Sequence, residues 1–180
     1  MKSVLESAKQ KGYVCVYDHP DDPSSFCVGR VIGVDERHAL LQCLDADGRD
    51  DGWTLKPIEQ VYAVEEDTAY LSRLALLARR FEHSSPLEAG DGSMLEAMAR
   101  HVLKERACVS IELHESGVFD MQGYVVRAEG GILHIRQLSD DGADNGVAHI
   151  RMDAITRADW DSDRERRLEF LSALQSAAES

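Results

Sequence analysis

A chain of 180 residues and 20.0 kDa, with 43% hydrophobic and 29% charged residues, has the makeup of a globular protein, with room for one large domain or two small ones. Its 33 acidic residues against 20 basic ones leave a formal net charge of -13, which argues against a protein whose main task is to coat a polyanion, because that affinity comes from neutralised phosphates. No run of about 18 apolar residues is present, which excludes a membrane-spanning helix, and MKSVLESAKQK holds no apolar signal segment; a cytoplasmic location, with Cys15, Cys27, Cys43 and Cys108 as reduced thiols, is the expectation.

Taken in chain order, residues 3–11 read as a short helix, and Val14 and Val16 mark a first strand. Further strands are predicted at 26–34, 38–44, 52–56 and 61–64. The acidic, Gly-containing stretch 45–52 reads as a hairpin connection, since Asp and Gly tolerate the positive φ of such turns. After Glu66 the apolar period becomes helical, through Tyr70, Leu71, Leu74, Leu77 and Ala78, with Asp67 as the expected N-cap. Residues 83–93 combine Pro, Gly and Ser without periodicity and read as a linker. Ser93 and Glu96 then form the pattern of a capping box for a helix from Met94 to about Glu105.

The rest repeats the beginning. Displaced by about 94 residues, the chain aligns with itself without a gap from Gly29 to Leu77 against Gly123 to Leu171. Gly29 meets Gly123, Leu44 meets Leu138, Asp47-Gly48 meets Asp141-Gly142, Gly52 meets Gly146, Asp67 meets Asp161 and Leu74 meets Leu168. Upstream of that span the shift is one residue larger, bringing Val14 onto Val109. A tandem duplication follows, with a first domain at 1–82, the linker at 83–93 and a second domain at 94–180. The second final helix, led by Asp161, carries Leu168, Leu171 and Leu174. The fold class expected is mainly β with flanking helices (α+β). Each half is predicted to be a small five-stranded barrel with an N-terminal and a C-terminal helix, because closure removes exposed sheet edges.

The stretch Gly29-x-Val31-x-x-x-Asp35-x-x-His38-Ala39-Leu40-Leu41 resembles the first motif of the Sm-like (LSm/Hfq-type) family. Gly123-x-Val125-x-x-x-Glu129-x-x-Ile132-Leu133-His134-Ile135 repeats it. The family's second motif, apolar-basic-Gly before an apolar strand, is echoed at Leu55-Lys56-Pro57-Ile58 and Ile150-Arg151-Met152. The main competitor is an SH3-like barrel of another family. The resemblance implies an RNA-pocket-equivalent site at Asp35, His38, Ala39 and Lys56 in one half, and at Glu129, Leu133, His134 and Arg151 in the other. The family's loop Asn is replaced here by Ala39 and Leu133, whose side chains offer no paired donor and acceptor to a base edge. Weak binding of oligo-uridine is therefore expected. The family's barrels associate by pairing a fourth strand with the fifth strand of the next barrel, so the implied role is a non-enzymatic assembly module that binds a protein partner or another copy of itself. RNA binding through a non-standard surface is the alternative, and a small-ligand or metal-dependent enzyme is a further one.

No nucleophile elbow, P-loop or Gly-x-Gly-x-x-Gly is present, so no catalytic residue and no cofactor is assigned. Of the seven histidines, His134 and His149 are expected on adjacent strands, but no His-x-x-x-His or Cys-x-x-Cys spacing supports a metal site. The acidic loops 45–52 and 139–146 lack the closing Glu of an EF-hand and read as solvated hairpins rather than calcium sites. The run Arg164-Glu165-Arg166-Arg167 reads as a charged helix face, with a phosphate contact as the alternative, and Trp53 and Trp160 read as core or seam, with an exposed stacking platform as the alternative.

Overall fold

The computed structural model describes residues 1–180 except 20, 85, 86, 88, 91, 179 and 180, and the side chain of Ala178. The chain divides into two units, Met1–Met94 and Leu95–Ser180. The first holds α1 (Lys2–Ala8), β1 (Val14–Tyr17), β2 (Cys27–Val34), β3 (His38–Leu44), β4 (Asp50–Pro57), a 3₁₀ turn at Ile58–Gln60, β5 (Ala63–Glu65) and α2 (Ala69–Ala78). The second follows with α3 (Met94–Glu105, beginning at the boundary), β6 (Cys108–Leu113), β7 (Met121–Glu129), β8 (Ile132–Leu138), β9 (Asp144–Arg151), a 3₁₀ turn at Met152–Ala154, β10 (Ile155–Trp160) and α4 (Asp163–Ala178). The protein is thus mainly β with flanking helices, and every strand pairing within a unit is antiparallel.

Strand order is the same in both units, β5-β1-β2-β3-β4 and β10-β6-β7-β8-β9. The register also breaks at equivalent places: between Val31 and Gly33 and between Val125 and Arg127, then again between Gln42 and Leu44 and between Arg136 and Leu138. The closed barrel expected of each half is not present in this order. β4 and β5 stand at its opposite ends, as do β9 and β10, so each series is open. In the first unit β5 is only three residues long and pairs along its length with β1.

Two of the duplicated glycines have one physical reason in both copies. A Cβ on Gly29 would stand 2.4 Å from the Gln42 carbonyl oxygen, and one on Gly123 2.1 Å from that of Arg136. Gln42 and Arg136 are themselves equivalent residues, so the close approach of the second strand to the third is conserved between the copies.

Local chemistry refines the helix starts. Asp67 and Asp161 both adopt φ of +56° and so precede the caps instead of forming them. Thr68 Oγ1 accepts from the Leu71 N–H at 3.1 Å and caps α2. In the second unit Ser162 Oγ accepts from the Arg164 N–H while the Ser162 N–H donates to Glu165 Oε2, both at 3.2 Å, a capping box that places Glu165 at N3. Glu165 is wholly buried, and Ser110 Oγ donates to its other oxygen at 2.5 Å.

The sheet of the first unit is buried on both faces. Leu5 and Ala8 of α1 pack with Val14, Val16, Val31, Ala39, Leu41, Cys43, Ile58 and Val61 on one side. On the other side, Leu71, Leu74 and Ala78 of α2 cover Cys15, Val28 and Leu44. In the second unit Leu168 of α4 packs on Cys108 and Leu138, equivalents of Tyr13 and Leu44. The final helices thus close largely on their own units, leaving Leu77, Phe170 and Leu174 exposed. Trp53 and Trp160 are both core, at 2% and 0% exposure. No helix among the described residues is long and apolar enough to cross a membrane.

The predicted linker is tied to the first unit. The Ser84 N–H donates to Asp50 Oδ2 and Gln42 Nε2 donates to the Ser84 carbonyl, each at 2.8 Å, and Leu87 is buried. Ser85, Pro86 and Asp91 of that stretch lie outside the described residues.

Cys15, Cys43 and Cys108 are buried and Cys27 is half-buried; all four are free thiols. Burial, reinforced by Glu165 and Glu169, pushes the Cys108 thiol up to about 12, and burial with Glu65 pushes Cys15 up to about 11, so neither supplies thiolate at neutral pH. The folded protein is expected to react with Ellman's reagent at no site faster than Cys27, and at four sites once denatured. Rapid native labelling of Cys15 or Cys108 would contradict the core as described.

Candidate functional site

In the first unit the pocket-equivalent residues surround the β2–β3 turn. Asp35 Oδ1 accepts from the Arg37 and His38 N–H groups, each at 2.7 Å, while Oδ2 accepts from the Met94 N–H at 2.6 Å. Burial raises its carboxyl pKa, but the three backbone donors outweigh that and hold the group below the ordinary carboxylate range. Both oxygens are thereby committed to backbone. His38 is 2% exposed, with Nδ1 3.9 Å from Asp35 Oδ1. Ala39 is buried and lies opposite Lys56 in the β3–β4 register. Lys56 forms an ion pair with Asp18, the two side chains being 2% and 3% exposed. Asp18 Oδ1 has no hydrogen-bond partner among the described residues. Asp18 carried no sequence signal, because it follows an apolar strand and stands 38 positions from Lys56.

The second unit differs. Leu133 is buried, but the side chains alternating with it open to solvent. His134 and His149 are cross-strand partners, their Nδ1 atoms 2.7 Å apart, so one ring donates and the other accepts. Arg127 Nη2 lies 3.4 Å from His134 Nδ1 and Arg127 also pairs with Glu129 at 3.1 Å. Desolvation, then the Arg127 charge and the His149 ring, lower the His134 pKa. Arg151 is exposed and ion-paired to Asp153. The β-strand alternation sets Ile132 and His134 on one face with Val147, His149 and Arg151.

The register also separates the two basic residues of the second motif. Lys56 lies opposite Ala39, whereas Ile150 lies opposite Leu133; Arg151 lies opposite Ile132 and so corresponds to Pro57. Lys56 and Arg151 therefore do not occupy the same place in their units. The same comparison exposes an asymmetry. His38, Leu40, Trp53 and Leu55 are buried, whereas their counterparts Ile132, His134, Val147 and His149 are exposed or half-exposed.

Most of the singled-out charges of the remaining motifs are engaged locally. Asp45 Oδ1 accepts from the Asp47 and Arg49 N–H groups at 2.9 and 2.8 Å, and Ser139 Oγ donates to Asp141, which closes both acidic hairpins. Arg166 pairs with Asp161, and Arg164 lies over the Phe119 ring. No group of three or more His, Cys, Asp or Glu among the described residues is placed to hold a metal ion. No protein-family model, no curated protein and no solved structure matches the chain.

Proposed function

We propose that the protein is a non-enzymatic assembly module built from two Sm-like units, and that the β8–β9 face and the β9 edge of the second unit are its interaction surface, taken by a second copy of the chain. The observation that carries this is the asymmetry between the units: Val147 is 58% exposed, while its counterpart Trp53 is 2% exposed. Val126 at 52% and Ile132 at 36% add apolar surface to the same sheet. β9 ends the strand order of its unit, and an end strand offers unpaired N–H and C=O groups as a pairing template. The identical strand order, the preceding helix and the 3₁₀ turn before the fifth strand in each unit support the Sm-like reading. In the first unit, the burial of Ala39 and the engagement of Lys56 by Asp18 favour a protein partner over RNA.

Sedimentation equilibrium tests the reading. The mass is expected to rise above 20.0 kDa as concentration increases. Val147→Glu should return the protein to monomer, and at a concentration where the wild type is also monomeric the two should share one unfolding midpoint, because Val147 is exposed. A single monomeric species at every concentration would defeat self-association.

A further inference from the structure

The first unit contains a cleft of about 380 Å³, within the size range of small-molecule sites. Leu71, Ala75 and Ala78 of α2, with Tyr13 and Phe81, form its apolar part; Arg30 and Arg79 supply its cations, and the carboxylate on its lining, Asp67, is paired with Lys11 at 3.4 Å. Neither arginine makes an ion pair among the described residues, although acidic residues outnumber basic ones 33 to 20. Arg30 lies over the Tyr13 ring, 4.7 Å from its centroid.

The duplication shows what this place is shaped for. α2 and α4 sit on their own sheets alike: Leu74 packs with Leu44, and the equivalent Leu168 packs with Leu138. Ala75 therefore corresponds to Glu169, Arg79 to Ala173, Arg30 to Tyr124 and Tyr13 to Cys108. In the second unit the Glu169 carboxylate reaches the head of β6 and accepts from the Cys108 N–H at 2.7 Å. That unit has a built-in carboxylate and neither arginine. The first unit has both arginines, and Ala75 supplies no carboxylate.

We infer that the cleft of the first unit binds a small carboxylate ligand with an apolar body, its carboxylate taking the place that Glu169 fills in the second unit. Arg30 and Arg79 provide charge-assisted hydrogen bonds to the anion, and Leu71, Ala75 and Phe81 face its apolar part. This inference is independent of self-association, since none of these residues lies on β8 or β9.

Amide NMR of the full chain, titrated with sodium benzoate, tests it. Benzoate is expected to shift Gly12, Tyr13, Ser72 and Ala75 in a saturable manner, while the neutral benzamide and inorganic phosphate leave them in place. Arg79→Gln should weaken benzoate about tenfold, the loss of one hydrogen bond to a charged group. Ala75→Glu should abolish binding by supplying the carboxylate in cis. If that variant fails to fold, Arg79→Gln and Arg30→Gln together decide the matter. Absence of saturable shifts, equal shifts with benzamide or phosphate, or unchanged affinity in both arginine variants would overturn the proposal.

Discussion

Lys56→Met is expected to destabilise the protein by about 3–5 kcal/mol, the cost of leaving a buried charge without its partner. Asp18 and Lys56 are 3% and 2% exposed, and Asp18 Oδ1 already has no hydrogen-bond partner among the described residues. Removing the ammonium takes the partner from Asp18 Oδ2 and leaves His19 Nε2, 3.7 Å from Oδ1, as the neighbouring group that can carry positive charge. The double variant Asp18→Leu/Lys56→Met should recover most of the loss, because replacing both members of a buried pair by apolar groups is often neutral. Urea unfolding, followed by the fluorescence of the buried Trp53 and Trp160, measures both. A loss below about 1 kcal/mol in the single variant, the range of an exposed pair, would show that Lys56 is solvated and free to serve as a ligand contact. Equal losses in the single and double variants would show that packing, not charge, dominates there.

The second large effect concerns the turns of the two acidic hairpins. Gly48 and Gly142 adopt φ of +85° and +83°, where a side chain is strained. They also touch the final helices. A Cβ on Gly48 would lie 2.7 Å from the Ala78 nitrogen, and one on Gly142 would lie 2.5 Å from the Ser172 nitrogen. Both obstacles are helix backbone, which does not swing aside, so Gly48→Ala and Gly142→Ala are each expected to cost about 2–4 kcal/mol, strain and overpacking combined. Gly130→Ala is the control. Its φ is +57° but nothing lies within 4 Å of its Cβ, so only the backbone cost of about 1 kcal/mol applies. Thermal unfolding of the three variants ranks them. Equal shifts for Gly130→Ala and Gly142→Ala would remove the close hairpin–helix approach as the reason these glycines recur.

The internal repeat is legible in the chain itself because it is written in local quantities. Apolar phase locates the strands to within a few residues: 38–44 was predicted and His38–Leu44 is β3. Gly29 and Gly123 recur because backbone approaches backbone there, a demand that no other residue type meets. Helix starts were displaced by one residue, Thr68 in place of Asp67, because the Asp takes the left-handed conformation before the cap.

What periodicity did not carry was which strands are exposed and which charges are buried. Leu40 and His134, or Trp53 and Val147, are equivalent by alignment, yet the first of each pair is buried and the second is half-exposed or exposed. The Asp18–Lys56 pair joins residues 38 apart, and the cleft of the first unit has Ala75 on its lining where the second unit carries Glu169. Strand and helix follow from residues a few positions apart, whose spacing the chain records. Burial, ion pairing and empty volume depend on residues brought together only by folding, so they were decided by the tertiary structure alone.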